Sequence, residues 1–413
     1  MKHCVIVDGY SAGNLLPAEF KARGYAAIHV QSTPVIWPIL TLTYRPDDYA
    51  HHFAYEGDLA PLVQGIQGLE PVAVLAGTET GVELADQLSE ALGLPTNGTR
   101  LSAARRDKHV MIETARAAGL KVARQFKGAS AAAIVDWVAR EGLAKVVVKP
   151  LKSAGTDSVA VCRTAAEIEA ACERIVGKVN QLGLMNDEVL CQEFLEGTEY
   201  ALDAVSLNGQ AHFTAIWKYH KVTVNDAEFV YDRDELVSCR DEVGQALCAY
   251  TREVLAALEI TQGPSHAEIM LTPDGPALVE IGTRLNGITT PALHERCVGY
   301  GQLDLTVDAC VDATAFAAKA AEPYDLKEYA LSISLISEQT GTVSGVPGEA
   351  LIRALPSFNE VRMRAKPGYE LRRTIDFYTH PGFAILVHPD REVLHTDLGK
   401  IRGHERAGRM YDL

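Results

Sequence analysis

The run His3-Cys4-Val5-Ile6-Val7-Asp8 is followed by Gly9 and Gly13 and then by a helix-patterned stretch from Leu15 to Arg23 that stops at Gly24. This order predicts strand, turn and helix. Ala26 to Val30 and Val72 to Leu75 repeat the short apolar run before a loop, and Val82 to Leu92 keeps a helical period up to Gly93. Residues 1 to about 100 are therefore expected to form a parallel α/β domain. The spacing Gly9-x-x-x-Gly13 falls short of GxGxxG, so it reads as a tight turn and not as a dinucleotide site.

The texture then changes. A helix is predicted from Ser102 to Ala118, a strand from Val122 to Phe126 and a second helix from Ser130 to Arg140. Residues 145–206 read as strand, glycine loop, strand, helix and two strands, and 211–218 and 265–283 add more strands around a long helix-like stretch from Arg240 to Leu258. Near Pro323 short β-like runs begin, Leu331 to Ile336, Ala350 to Ala354 and Phe383 to Val387. The fold class is thus α/β followed by α+β.

With 413 residues, 47% of them hydrophobic, the chain can build two to four domains. Lys+Arg 39 against Asp+Glu 54 gives a net charge of −15, with acidic residues scattered along the chain, which argues against a nucleic-acid partner. A few lysines in a cleft still set a local field that suits an anionic ligand. No segment reaches the roughly 18 unbroken apolar residues that a membrane span needs, and the start lacks a secretory pattern, so a cytoplasmic protein with reduced thiols is expected.

Three segments carry chemistry. The first is the pair of runs Ser265-His266-Ala267-Glu268-Ile269-Met270-Leu271-Thr272 and Pro276-Ala277-Leu278-Val279-Glu280-Ile281-Gly282-Thr283, joined by Pro273-Asp274-Gly275. With a three-residue loop, Thr272 faces Pro276, and Glu268 faces Glu280 on one side of the sheet. Like charges opposite each other repel, unless a hard cation such as Mg²⁺ lies between them. A loop of another length would put the carboxylates on opposite faces, and the sequence leaves both arrangements open.

The second segment is Lys145-Val146-Val147-Val148-Lys149-Pro150, whose strand ends on Lys149 before a small-residue loop at 153–158. Such a lysine with loop N–H groups can face phosphates, or it can be an ordinary solvated strand end. The third is Val189 to Asp203, a strand leaving an irregular hinge around Phe194 and Leu195, with Glu199 beyond it. Backbone groups there can read an adenine edge and a carboxylate can accept ribose hydroxyls; a plain hairpin with exposed glutamates is the alternative.

In order and spacing, over about 108–290, these segments resemble the ATP-grasp carboxylate–amine ligases. The resemblance implies an ATP-grasp fold with a Rossmann-like N-terminal domain at 1–107, the grasp at 108–320 with a lid at about 120–190, and a β-rich C-terminal domain at 321–413. It assigns Lys108, Lys149 and Lys218 to the ATP phosphates, the loop with Ser153, Gly155 and Thr156 to a flap, Gln192, Glu193, Phe194 and Leu195 to adenine, and Glu199 to ribose. Glu268 and Glu280 would bind two Mg²⁺ ions, with Mn²⁺ as a substitute, and Arg284 would steady an acyl phosphate.

Many members carry Glu-x-Asn at the second metal carboxylate, whereas Gly282 stands here in the asparagine's place, leaving Asn286 or water as the substitute. The string Glu-Ile-Gly-Thr-Arg-Leu-Asn-Gly is similar to the L-amino acid ligases, which implies amino-acid substrates, a dipeptide-like product and commonly a homodimer. Asn286, Gly287, Thr289, Thr290 and His294 are the expected substrate residues, and His220, His266 and His294 the available bases. A carboxylase- or purine-type ligase and a nucleotide sensor without turnover are the competing readings.

Overall fold

Four short apolar strands pair in parallel in the order His51–Ala54, Ala26–Gln31, His3–Val7, Pro71–Ala76. The computed structural model describes residues 2–153, 157–287 and 290–413. Alternate side chains of the His3–Val7 strand enter two cores. Cys4 and Ile6 pack with Phe20, Leu75, Leu285 and Leu303, while Val5 and Val7 pack with Ile28, Ile66 and Leu88. A parallel strand covered on both faces needs this continuous apolar run. Leu285 and Leu303 come from beyond residue 280, so one face of the N-terminal sheet is already part of the junction with the rest of the chain.

An eight-stranded sheet forms the centre, in the order Gly275–Gly282, Gly263–Thr272, Thr198–Leu207, Gln210–Val224, Ala227–Val237, Tyr329–Ser334, Gly382–His388, Phe358–Met363. The C-terminal strands thus extend the same sheet that carries the hairpin. A separate four-stranded antiparallel sheet, Gln125–Gly128, Val189–Glu193, Val146–Pro150, Ala160–Cys162, covers one side of the larger cleft described below. Among the described residues no helix is long and apolar enough to cross a membrane.

Several sequence expectations are corrected. Ala350 to Ala354 lies mainly in a helix, Pro347–Arg353, started by Pro347 at its first position, where a missing N–H costs nothing. The predicted helix from Ser102 to Ala118 is two pieces: a 3₁₀ turn at Ala103–Arg105, then Lys108–Ala117, whose Asp107 cap accepts the N–H groups of His109 and Val110. The strand at 211–218 runs on to Val224 and returns through Ala227–Val237, a long hairpin whose polar residues hid its period.

Arg105 ties these parts together. It is fully buried, donating through Nη2 at 3.0 Å and Nε at 3.2 Å to Asp86 and through Nη1 at 3.0 Å to the Leu258 carbonyl, while Ser102 also donates to Asp86. Removing one member of a buried ion pair strands the other charge without solvent. Arg105→Ala is expected to cost about 3–5 kcal/mol of unfolding free energy. Urea denaturation checks this, and a loss within error of zero would exclude Arg105 as the tie between the helix Val82–Ala91, which carries Asp86, and Leu258 at the end of the helix Glu242–Ala257.

Candidate active site

The hairpin places its two glutamates opposite each other by a route other than the one the sequence suggested. Its turn has two residues, Pro273 and Asp274, with Thr272 paired to Gly275, which takes a φ of 109°. Pairing then runs Leu271 to Pro276, Met270 to Ala277 and Ile269 to Leu278, and at that point Val279 bulges out of register. The extra residue brings Glu268 opposite Glu280. Without it every later side chain would turn to the other face.

Lysines surround the pair. Lys108, at the start of its helix, lies 3.0 Å from Glu280 and donates at 2.7 Å to the Ser153 carbonyl. Lys149 is buried at the end of its strand. Burial draws its ammonium down to about 8, with Lys108 adding to the fall and Glu280, Glu268 and Glu199 opposing it. Burial disfavours the Glu280 anion, but Lys108, Lys149 and Arg284 outweigh it and hold the carboxyl at about 2. Glu199 accepts from Lys221 at 2.6 Å, and burial together with the neighbouring Glu268 raises its carboxyl against that bond.

These residues line a cleft of about 1120 Å³ that also takes in Ser153, Gln192, Glu193, Phe194, Leu195 and Lys218. Gly155 and Thr156 lie outside the described residues. Glu193 turns its carboxylate to Arg124 at 3.0 Å, and the Gln192 amide donates at 3.0 Å to Gln125, so both side chains are already engaged. The Phe194 N–H is taken by the Lys145 carbonyl at 3.2 Å, whereas the Leu195 N–H has no partner among the described residues. The Phe194 ring lies under the Lys145 ammonium, 3.3 Å from its centroid. Lys218 has no ion pair among the described residues.

A second cavity of about 260 Å³ shares Tyr219, Tyr231, Glu268 and Phe377 with the first and adds Glu79, Asp234, His266, Arg284, Asn286 and Gly287. Thr290 and His294, expected at the substrate, line neither cavity. Thr290 starts the helix Pro291–Cys297, and His294 is buried against the Trp217 ring, with burial lowering its pKa. Thr289 lies outside the described residues.

His266 is held charged. Its Nδ1 lies 2.7 Å from Asp203, and the bonds to Asp203 and Glu268 overcome burial and raise it to about 9. The Asn286 amide donates to the other Asp203 oxygen at 3.0 Å, so it supports the His266–Asp203 pair. His220 pairs with Glu235 at 3.3 Å.

The N-terminal domain supplies a residue that sequence reasoning missed. Glu79 accepts from Arg284 Nε at 2.8 Å and lies 3.4 Å from Arg106, which with Lys108 keep it ionised against its burial. A Cβ added at Gly282 would collide with that Glu79 carboxylate. Glycine there leaves room for the acid that orients Arg284. One signal pointed to Glu79: it follows the strand Pro71–Ala76, at the carboxyl end of a parallel sheet, where such folds place their ligands.

Among the described residues no three His, Cys, Asp or Glu side chains gather as a metal cage. Two opposed carboxylates beside a lysine-lined cleft suit Mg²⁺, which takes one or two carboxylates and fills its shell with water and phosphate oxygens.

Residues 143–292 match the ATP-grasp domain and 334–401 the L-amino acid ligase C-terminal domain 2. Dapdiamide A synthase from Enterobacter agglomerans is 33% identical over 407 residues, 97% of this chain and 95% of that protein. The chain belongs to the ATP-grasp ligases. The L-amino acid ligase from Bacillus licheniformis shares the fold at a TM-score of 0.75 with 17% identity, covering 98% of this chain and 97% of that one. An N5-carboxyaminoimidazole ribonucleotide synthetase from Thermotoga maritima does so at 0.66 with 17% identity, covering 100% and 99%. The ligase is an ADP-forming carboxylate–amine ligase of the kind that uses ATP with Mg²⁺ or Mn²⁺.

Protonated Lys149 is the form that attracts phosphate, and it is lost as pH rises through about 8, so kcat/KM for ATP is expected to fall on the alkaline side. Lys149→Arg, which stays charged, should flatten that limb; an unchanged profile would remove Lys149 from phosphate binding. Glu79→Gln leaves Arg284 without its anionic partner and is expected to lower kcat by about 10–100-fold with KM for ATP unchanged. Steady-state kinetics separate the two parameters.

Proposed function

We propose that this ligase phosphorylates the carboxylate of an amino acid or N-acyl amino acid and couples the acyl phosphate to the amine of a second amino acid, giving a dipeptide-like amide, ADP and phosphate. The observation that carries the reading is that two cavities share Glu268 in their walls: a cleft of about 1120 Å³, room for a nucleotide, and one of about 260 Å³, which suits an amino-acid-sized ligand. The relative of nearly the same length is named for the synthesis of dapdiamide A, which supports an amino-acid-derived product.

The carboxylate oxygen and the γ-phosphate are both anions, so their approach needs positive charge on every side. Lys108 and Lys149 face the larger cleft and Arg284 faces the smaller one, so the reacting groups would meet between them. Glu268 and Glu280 would hold Mg²⁺, two ions in this reading, which when bound offsets phosphate charge. Arg284, fixed by Glu79, would then steady the oxyanion that forms when the amine adds to the acyl carbon. The collapse of that adduct breaks the C–O bond to phosphate, which leaves, and the nitrogen gives up a proton to the departing phosphate or to water. Water must be kept out while the acyl phosphate waits, and Phe377, from the C-terminal segment, walls both cavities.

A matrix of paired L-amino acids assayed for phosphate release, with product masses, tests the reading. Release that depends on an amino acid and falls by about 10²-fold or more in Glu280→Ala and Arg284→Ala is expected. Bicarbonate-dependent ADP formation without any amino acid would replace it with a carboxylase, and tight ATP binding without turnover would replace it with a sensor.

A further inference from the structure

The acids that wall the smaller cavity have partners, except one. Glu79 is held by Arg284 and Arg106, and Glu268 faces Glu280 with His266 Nε2 at 3.8 Å. Asp234 lies in the strand Ala227–Val237, paired to Tyr219 on one side and Ser332 on the other. Neither of its carboxylate oxygens has a hydrogen-bond or ion-pair partner among the described residues, and Oδ1 is shut off from solvent.

The nearby cations are already committed: Lys221 to Glu199, His266 to Asp203, Arg284 to Glu79 and Arg233 to Asp232. Burial, with Glu199 and Glu268 adding to it and Lys221 and His266 opposing, pushes the Asp234 carboxyl up to about 7. An unpaired anion in such a wall is costly until a cation arrives. The rings of Tyr219 and Tyr231, 5.4 Å apart edge to face, flank the same space, and the Lys221 ammonium lies over both, 5.9 and 4.6 Å from their centroids.

We propose that Asp234 receives the ammonium group of the amino acid that acts as amine. This rests on the acyl-phosphate reading above and adds to it the place where the second substrate is held. Asp234 lines the smaller cavity and not the larger cleft, so a nitrogen bound there would lie outside the cleft that Lys108 and Lys149 face. The donor's reacting carboxylate is negative and is met by Arg284 and the lysines, and hydroxamate formation, which needs the donor but no second amino acid, tells whether Asp234 serves the donor's ammonium or that of the amine partner.

The test replaces the amine by hydroxylamine, which is unprotonated at neutral pH and needs no ammonium receptor. Wild-type enzyme with ATP, Mg²⁺, hydroxylamine and single L-amino acids or N-acyl amino acids identifies the donor by hydroxamate formation. Asp234→Asn, checked for an unchanged thermal midpoint, is expected to form that hydroxamate at the wild-type rate. Its KM for the amine-donating amino acid should rise roughly tenfold or more. Asp234→Glu, which keeps the charge, should recover part of that loss.

An unchanged KM for the amine in Asp234→Asn overturns the proposal. So does a parallel loss of hydroxamate, which would make Asp234 a residue of the donor subsite. A wild-type enzyme that gives no hydroxamate with any donor would instead sink the acyl-phosphate reading on which the proposal stands.

Discussion

Two carboxylates on neighbouring strands repel each other, and much of this molecule is arranged around that repulsion at Glu268 and Glu280. Left alone, the pair would weaken the hairpin that carries it. The surrounding cations change the balance: Lys108 is fixed by the helix that Asp107 caps, and Lys149 by a strand of a different sheet. Elements distant in sequence must therefore close on the hairpin before its charges are tolerable. Two opposed carboxylates beside these lysines are also the donor set that a hard dication with phosphate ligands takes.

Glu79 extends the same logic across the domain junction. Nothing in the N-terminal sheet approaches a nucleotide-binding motif, yet this sheet positions Arg284 through one acid and shares a core with Leu285, the next residue. Gly282 and Glu79 form a matched pair, the absent side chain of one being the space of the other.

Local signals read well from the sequence. The parallel strands were legible because they are short, apolar and followed by glycine, and the order of Lys149, Glu268, Glu280 and Arg284 along the chain was enough to indicate the family. The hairpin register was reached with the wrong turn length, because a two-residue turn and a bulge together imitate a three-residue loop. Asp234, Lys221 and Glu79 stayed hidden for a common reason: each is an ordinary charged residue locally, and its role depends on which strand or domain lies beside it. The helix at Pro347 was missed because its apolar run is short enough to pass for a strand.

The bulge at Val279 has a consequence for variation in this hairpin. Alignment of the two glutamates is fixed at the bulge, five residues from the tip on that strand, so the tip and the site are separately adjustable. Changes in the identity of Pro273 or Asp274 fall on a solvent-facing end and leave the carboxylates facing each other. Loss of a single residue at 279 would reverse the facing of everything from Glu280 onward. In a mutational library the hairpin should therefore behave as two units, a permissive cap and an intolerant stem, divided at a valine whose side chain does no chemistry.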